Sequence, residues 1–275
     1  MSAYPQIVTA QMVENFLRGG AAVNVLARHA GAAVVVADMG VAGPLPAHPA
    51  LVSAPIGRGT RNMCDGAAMT REEALRAIEA GAGLVLAEAG LDLIGTGEMG
   101  IGNTTAASAV VAALTGLPPA TVTGTGTGID AEGRARKVDA ITRALAVNRP
   151  DPADGVDVLA KVGGFEIAGL CGVILAGAAS RIPVVLDGFI AGAAALAAVR
   201  LKPDVQAYLL ASHRSTEPGA AHVLEALGLE PFLDLDMRLG EGTGSALCIS
   251  LARAAVKILG EMATFKSAGV SERSP

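Results

Sequence analysis

The stretch Ile182-Pro183-Val184-Val185-Leu186-Asp187-Gly188-Phe189 decides the fold class of this chain. Its branched apolar run predicts a buried strand, and the polar pair Asp187-Gly188 predicts that the strand ends there. The small-residue segment that continues through Val199 has the length and composition of a helix. Strands are also predicted over residues 33–37, 91–94 and 207–211. Because strands alternate with helices, the sequence predicts an α/β fold: an open, mostly parallel, Rossmann-like sheet flanked by helices.

The predicted helices surround these strands. Apolar residues at helical spacing predict helix over residues 9–30, with Thr9 as the N-cap. The sequence Thr70-Arg71-Glu72-Glu73 is a capping-box pattern and predicts a helix to about residue 89. Four prolines within residues 42–62 predict a long, exposed loop. Further helices are predicted over residues 104–114, 131–147, 156–179 (two helices), 217–227 and 246–258.

Composition limits the classes of function. The chain has 275 residues, enough for one large domain or two small ones. Half of the residues are hydrophobic but only 3% are aromatic, and the 35 glycines favour helices packed closely on a sheet. The net charge of −5 argues against a nucleic-acid partner, although backbone amides can still bind a phosphate locally.

Compartment is predicted from the cysteines and the apolar segments. Cys64, Cys171 and Cys248 are far apart and form no C-x-x-C, which favours buried thiols in a reducing environment. Residues 1–11 lack the features of a signal peptide, and the apolar segment 167–179 is too short to span a bilayer. We therefore expect a soluble cytoplasmic protein that does not associate with a membrane.

A Gly-rich turn follows the strand predicted over residues 91–94. Gly95-Thr96-Gly97-Glu98-Met99-Gly100 matches G-x-G-x-x-G, but a dinucleotide fold also needs an acidic residue about 20 residues further on. Residues 112–129 contain none. The continuation Ile101-Gly102-Asn103-Thr104-Thr105 is more typical of a phosphate cradle completed by hydroxyls and a helix N-terminus. An NAD-linked oxidoreductase and a turn that binds nothing remain alternatives.

A second Gly-rich turn carries a carboxylate. Arg238-Leu239-Gly240-Glu241-Gly242-Thr243-Gly244-Ser245 precedes an apolar helix, so Glu241 is a candidate general base beside a ligand. The alternative is a polar helix start in which Glu241 only complements the dipole. If the fold joins the two turns, Glu98 and Glu241 supply a base and a hydroxyl-orienting group in one pocket. Otherwise they are unrelated surface charges.

Other polar segments leave a functional and a structural interpretation open. Lys137 follows the Gly/Thr run 123–128, where it can reach a phosphate or lie on a solvated helix face. Ser212-His213-Arg214-Ser215 follows a predicted strand, but no G-x-S-x-G elbow supports a Ser/His hydrolase. The other histidines lack metal-ligand spacing, so no metal site is expected; they are His29, His48 and His222.

Taken together, these segments resemble the nicotinate-nucleotide–dimethylbenzimidazole phosphoribosyltransferase family of cobalamin synthesis, over essentially the whole chain. The matching segments are Ser2-Ala3-Tyr4-Pro5-Gln6, Val8-Thr9-Ala10-Gln11-Met12, Gly19-Gly20-Ala21-Ala22-Val23-Asn24-Val25-Leu26, Gly97-Glu98-Met99-Gly100-Ile101-Gly102-Asn103-Thr104-Thr105, Asp187-Gly188-Phe189, Ser212-His213-Arg214-Ser215, Glu217-Pro218-Gly219 and Leu239-Gly240-Glu241-Gly242-Thr243-Gly244.

The resemblance implies transfer of phosphoribosyl from nicotinate mononucleotide to 5,6-dimethylbenzimidazole, without a cofactor. It implies that Glu241 is the catalytic base and that Glu98 contacts the ribose or the aromatic base. The 5′-phosphate cradle that it implies is Gly100, Gly102, Asn103 and Thr104. Additional substrate-binding residues implied by the resemblance are Lys137, Asp187, Ser215, Gln11 and Gly242.

The resemblance also bears on domain organisation. Family members carry a longer N-terminus, with a Lys/Pro/Gly/Ser-rich segment and helices of a small domain, and they form homodimers. We therefore expect one α/β domain over residues 1–275, to which residues 1–30 and 245–275 add helices of a shortened small helical domain. A non-catalytic module that binds nucleotide or base, left by such shortening, is the alternative function.

Overall fold

Five short strands form two parallel sheets in the computed structural model, which describes residues 4–271 and 273. The first sheet pairs β1 (Val36–Asp38) with β2 (Leu51–Ser53). The second has the order β3 (Ile94–Gly95), β4 (Val184–Leu186), β5 (Leu209–Ala211), and all of its pairs are parallel. The fold-class prediction is therefore confirmed, with a sheet that is small relative to its helices.

The helices are the larger part of the described chain. They are α1 (Val8–Leu17), α2 (Ala22–Ala30), α3 (Arg71–Leu86), α4 (Thr104–Thr115), α5 (Pro119–Val122), α6 (Ala131–Asn148), α7 (Gly155–Val162), α8 (Phe165–Ala179), α9 (Phe189–Leu201), α10 (Pro218–Leu227), α11 (Thr243–Glu261) and α12 (Phe265–Ala268), with a 3₁₀ turn at Pro203–Tyr208.

Local sequence explains where several helices begin. The capping box predicted at Thr70 is present: its hydroxyl accepts from the Glu73 amide at 3.0 Å, and the Glu73 carboxylate accepts from the Thr70 amide at 2.6 Å. Asp154 caps α7 by accepting from the amides of Val156 and Asp157. These polar caps fix helix ends without using core side chains.

Small residues bring α3 and α8 into direct backbone contact. A methyl group added at Gly81 would overlap the carbonyl of Gly169, and one at Gly172 would overlap the carbonyl of Ile78. Most residues of helices α4, α8 and α9 are buried, and α8 and α9 pack against the fully buried β4. The abundance of glycine and alanine thus results in a closely packed core around the central strand.

The carboxyl ends of the three central strands lie side by side because the strands are parallel. Thr96 follows β3, Asp187 follows β4 and Ser212 follows β5, and all three residues are buried. In open α/β sheets, this edge is where ligands bind. The turns predicted from sequence to bind substrate therefore begin at one edge of the sheet.

Some sequence predictions were wrong in detail. Residues 9–30 form two helices, because the chain turns at Gly19 (φ +74°). The buried side-chain amide of Asn24 stabilises this turn by donating from Nδ2 to the carbonyl of Phe16 at 3.1 Å. Thr9 is not an N-cap; α1 begins at Val8, and the Thr9 hydroxyl accepts from the distant Ile101 amide at 3.1 Å. The predicted loop 42–62 contains β2, whose pairing with β1 has no local sequence signal.

Helix α11 is longer than the segment predicted from sequence. Its 19 residues include an 18-residue window with mean hydropathy 1.3, so length and composition alone would allow it to cross a membrane. That is weak evidence, since its first turn is buried against the strand ends and it carries Arg253 and Lys257 further along.

Candidate active site

The two Gly-rich turns are in contact at the strand ends. An added methyl at Gly97 would lie 2.8 Å from the Gly242 amide nitrogen, and one at Gly240 would lie 2.9 Å from Glu98 Oε1. Gly97 needs glycine because the two backbones approach more closely there than any side chain permits, and Gly240 favours glycine because its φ is +75°. The fold thus brings Glu98 and Glu241 together. This is the first of the two alternatives that the sequence left open, in which both carboxylates belong to one pocket.

Glu241 occupies an unusual backbone conformation. It has a φ of +63° between Gly240 at +75° and Gly242 at +82°, a run of three left-handed residues. A non-glycine residue in this region is strained, and such residues occur often at functional sites. Burial raises the pKa of the half-buried Glu241, and the nearby Asp187 carboxylate raises it further. A carboxyl with a raised pKa is a more effective proton acceptor near neutral pH.

Glu98 belongs to a cluster of carboxylates around one amide. Asn103 Nδ2 donates to Glu98 Oε2 at 2.5 Å. Burial raises the pKa of Glu98 to about 8; the Asn103 bond opposes that rise, and the carboxylates of Glu166, Asp187 and Glu241 add to it. Glu98 is therefore largely protonated at pH 7 and can donate a hydrogen bond to a hydroxyl or ring nitrogen.

Glu166 was not predicted from sequence as part of this site. It lies in the first turn of α8, and burial raises its pKa, while its own backbone amide and the Asn103 side chain lower it. Its local sequence resembles an ordinary acidic helix start. Only the tertiary fold brings it to Asn103.

Asp187 holds the start of α11. Its Oδ1 accepts from the Gly244 amide at 2.7 Å and the Ser245 amide at 3.2 Å, and its Oδ2 accepts from the Gly242 amide at 3.1 Å. Burial raises the pKa of Asp187, while His213 and these amides oppose the rise. The anionic form fits this setting, since three amides and a helix N-terminus favour negative charge.

The predicted phosphate cradle leads into α4. Gly102 is left-handed (φ +90°), and Asn103 directly precedes the first helical residue. Thr104 Oγ1 accepts from Lys137 Nζ at 2.6 Å. The Lys137 side chain is only 1% exposed, so it is not on a solvated helix face.

The Gly/Thr run 123–128 forms the other wall around Lys137. An added methyl at Gly126 would lie 2.6 Å from Thr104 Oγ1 and 3.4 Å from Lys137 Nζ. Burial lowers the pKa of Lys137 to about 8, and the Glu217 carboxylate opposes that fall. Glu217 Oε2 has no hydrogen-bond partner within the described part of the chain. The Lys137 ammonium group therefore lies beside the Thr104 hydroxyl and the backbone of Gly126.

The remaining predicted residues are distributed around this centre. Ser215 is buried, and its Oγ accepts from the Glu217 amide at 3.3 Å. Gln11 is exposed on α1, two residues after the Thr9 that bonds the Ile101 amide. Gly242 is buried where the two turns meet.

The geometry does not fit the alternatives raised by motif. Ser212 is fully buried, and its hydroxyl donates to the Asp187 carbonyl at 2.9 Å, so it is not an exposed nucleophile. The first glycine of the G-x-G-x-x-G match packs against α11, since an added methyl at Gly95 would lie 3.0 Å from the Ser245 Cβ. Among the residues described, no group of three or more His, Cys, Asp or Glu side chains is arranged to hold a metal ion.

These features define the class of protein: two apposed Gly-rich turns with carboxylates and a buried lysine at parallel strand ends suit a transferase acting on a phosphorylated ribose.

A family model described as phosphoribosyltransferase matches residues 1–270. The chain is 61% identical over 273 residues to the nicotinate-nucleotide–dimethylbenzimidazole phosphoribosyltransferase of Roseiflexus sp. (strain RS-1), covering 98% of this chain and 77% of that protein.

Further similarity extends to another relative and to a solved structure. The Chloroflexus aggregans protein of the same name is 60% identical over 275 residues, covering 99% of this chain and 78% of its own length. The crystal structure of CobT from Thermus thermophilus superposes with a TM-score of 0.94 at 52% identity, covering 99% of this chain and 82% of that one. The chain belongs to the nicotinate-nucleotide–dimethylbenzimidazole phosphoribosyltransferase family.

Proposed function

We propose that this protein transfers the phosphoribosyl group of nicotinate mononucleotide to 5,6-dimethylbenzimidazole, giving α-ribazole 5′-phosphate and nicotinate for the lower ligand of cobalamin. The observation that carries the proposal is the contact between the turn of Glu241 and the turn of Glu98 at the strand ends. The relatives at 60–61% identity are named for this reaction.

The chemistry requires one general base. The nicotinate ring nitrogen is cationic in the mononucleotide. It becomes neutral when its bond to C1′ breaks, so the leaving group needs no general acid. The benzimidazole nitrogen that has a free lone pair forms the new bond to C1′, and Glu241 accepts the proton from the other ring nitrogen, so the ribosylated base ends neutral. Attack from the face opposite nicotinate inverts C1′ and gives the α product. Alignment of the attacking nitrogen with C1′ supplies much of the rate.

The substrate contacts follow from the two walls of the site. Glu98, held by Asn103, meets the ribose hydroxyls or the aromatic base. Gly100, Gly102, Asn103 and Thr104 offer the turn and the helix start to the 5′-phosphate. Lys137 supplies the cation that the phosphate needs. We assign supporting contacts to Ser215, Gln11 and Gly242, whereas the bonds made by Asp187 indicate a role other than substrate contact.

Assembly and compartment are further parts of the proposal. The distal half of α11 exposes large apolar side chains, among them Val256 at 70%, Ile258 at 56% and Leu259 at 88%. Such a surface supports a homodimer, and Leu259→Glu should lower the dimer fraction in sedimentation. The three free thiols suit a cytoplasmic enzyme. The described helices within residues 1–30 and 245–275 would form the helical part of the domain; residues 1–3, 272, 274 and 275 lie outside the described residues.

The decisive experiment is conversion of nicotinate mononucleotide and dimethylbenzimidazole by the purified chain, with product read by chromatography. Glu241→Gln should lower kcat by roughly 10²–10⁴-fold. It should leave calorimetric binding of nicotinate mononucleotide close to wild type, since the phosphate wall is intact. Wild-type binding without turnover would instead favour the non-catalytic nucleotide-binding module, and an active Glu241→Gln would remove Glu241 as the base.

A further inference from the structure

We propose that Asp187 is a positioning residue for Glu241: its buried carboxylate fixes the turn that presents the base, and it does not bind substrate. This inference rests on the proposed function, because it takes Glu241 as the proton acceptor.

The carboxylate of Asp187 bonds to the backbone of the second Gly-rich turn. Both carboxylate oxygens are used by backbone amides of the second Gly-rich turn, and the side chain is only 4% exposed. One of those donors, Gly242, directly follows Glu241. A carboxylate that already accepts three bonds and is closed to solvent has little capacity left for a substrate hydroxyl.

Glu241 is positioned by its backbone and not by bonds of its side chain. Within the described residues its carboxylate has no hydrogen-bond partner, so its direction is set by its backbone. That backbone is in the strained left-handed region at φ +63°. Strain of this kind persists only where surrounding contacts enforce it. Within the turn the Gly240 carbonyl accepts from the Thr243 amide and hydroxyl, and the three bonds that Asp187 accepts hold this turn against the strand ends.

Asp187 is itself fixed to the ends of the central strands. Its own amide donates to Thr96 Oγ1 at 3.0 Å, which ties it to the end of β3. The Ser245 hydroxyl lies within bonding distance of both the Thr96 carbonyl (2.9 Å) and the Val185 carbonyl (3.0 Å). The strand ends therefore hold the start of α11 in place. The bonds that Asp187 accepts fix the position of Glu241 relative to those strand ends.

The test is Asp187→Asn, with Asp154→Asn as the matched control. Both residues are aspartates that accept from amides at a helix start, but Asp154 caps α7 away from the two turns. In Asp187→Asn one acceptor oxygen is replaced by an amide NH₂ group. That group faces either the Gly242 N–H or the N–H groups of Gly244 and Ser245, so at least one hydrogen bond to the turn is lost. The turn beside Glu241 should loosen, and kcat should fall by roughly 10²-fold, the typical cost of a small misplacement. KM for nicotinate mononucleotide should stay within a few-fold.

The pH profile separates positioning from a purely structural effect. The titratable groups around Glu241 are Asp187 and Glu98; Glu166 adds to the field at Glu98, and His213 faces Asp187. Removing the Asp187 charge should move the acid limb of the kcat profile to lower pH. Asp154→Asn should lower Tm without changing kcat or the profile.

Each other outcome has a distinct meaning. A raised KM with unchanged kcat would make Asp187 a substrate contact, and a lower kcat with an unmoved acid limb would make it merely structural; either overturns the proposal. If Asp187→Asn does not fold, Ser245→Ala is the second variant, because it loosens the same turn. It should give a smaller loss of kcat at constant KM, and an unchanged kcat in Ser245→Ala would also overturn the proposal. Wild type inactive, or Glu241→Gln fully active, would instead count against the proposed function.

Discussion

The buried lysine makes a sharp prediction about how substrate binding depends on pH. Lys137 is 1% exposed, and burial lowers its pKa from an ordinary value of 10.5 to about 8. The free enzyme therefore loses the cation of its phosphate wall as pH rises past 8. A bound phosphate favours the charged lysine, so binding above this pH must also take up a proton.

The magnitude follows from that value. At pH 7 nearly all of the free enzyme carries charged Lys137, whereas at about pH 9.5 only about 3% does. The Kd for nicotinate mononucleotide should therefore rise by about 30-fold over that range, or about 2 kcal/mol. The phosphate itself titrates near pH 6, so it remains a dianion throughout.

Isothermal titration calorimetry between about pH 7 and 9.5, in buffers of different ionisation heat, measures both the affinity and the proton uptake. Lys137→Met should bind weakly at every pH and show no break near 8. Glu98→Gln is the needed control, because the pKa of Glu98 is also raised to about 8 and its ionisation falls in the same window. Wild-type affinity that stays flat, or a break that survives in Lys137→Met, would refute the assignment.

Further predictions concern stability and can be read by thermal unfolding. Because the pKa of Glu98 is raised, the folded state holds its proton more tightly than the unfolded chain, so stability is lost as pH rises from about 4.5 towards 8. Glu98→Gln should thus raise Tm at pH 8.5 but not at pH 4, and an equal effect at both would contradict this. Gly81→Ala should destabilise by about 1–3 kcal/mol, since its methyl would meet the Gly169 carbonyl. Its matched control Gly83→Ala, exposed on the same helix with open space around it, should stabilise by up to about 1 kcal/mol; similar signs for the pair would refute the packing argument. Thr70→Ala should cost about 0.5–2 kcal/mol through loss of the N-cap, and a neutral result would mean that the capping box does not stabilise α3.

The sequence predicted the α/β fold, because strand and turn patterns are short-range, but it left open whether the two Gly-rich turns meet, because that contact depends on the tertiary fold. Apolar runs ending in polar residues predict where strands end, and parallel strands bring those ends to one edge. Glu166 was missed because its place beside Asn103 depends on how α8 packs. Residues 9–30 were read as one helical region because apolar periodicity continues across Gly19, whereas the break depends on a glycine conformation and on Asn24.

The bonds that join the two turns have a consequence for how the enzyme is made. The Ser245 hydroxyl and the Thr96 carbonyl are 149 residues apart in sequence, while Lys137 and Thr104 are separated by only 33. Contacts with large separations form late in folding, because the chain must close a long loop first. The two Gly-rich turns can therefore meet only after residue 245 has been synthesised. Until then the chain has the turn of Glu98 but not the base, so catalysis depends on one of the last helices to leave the ribosome.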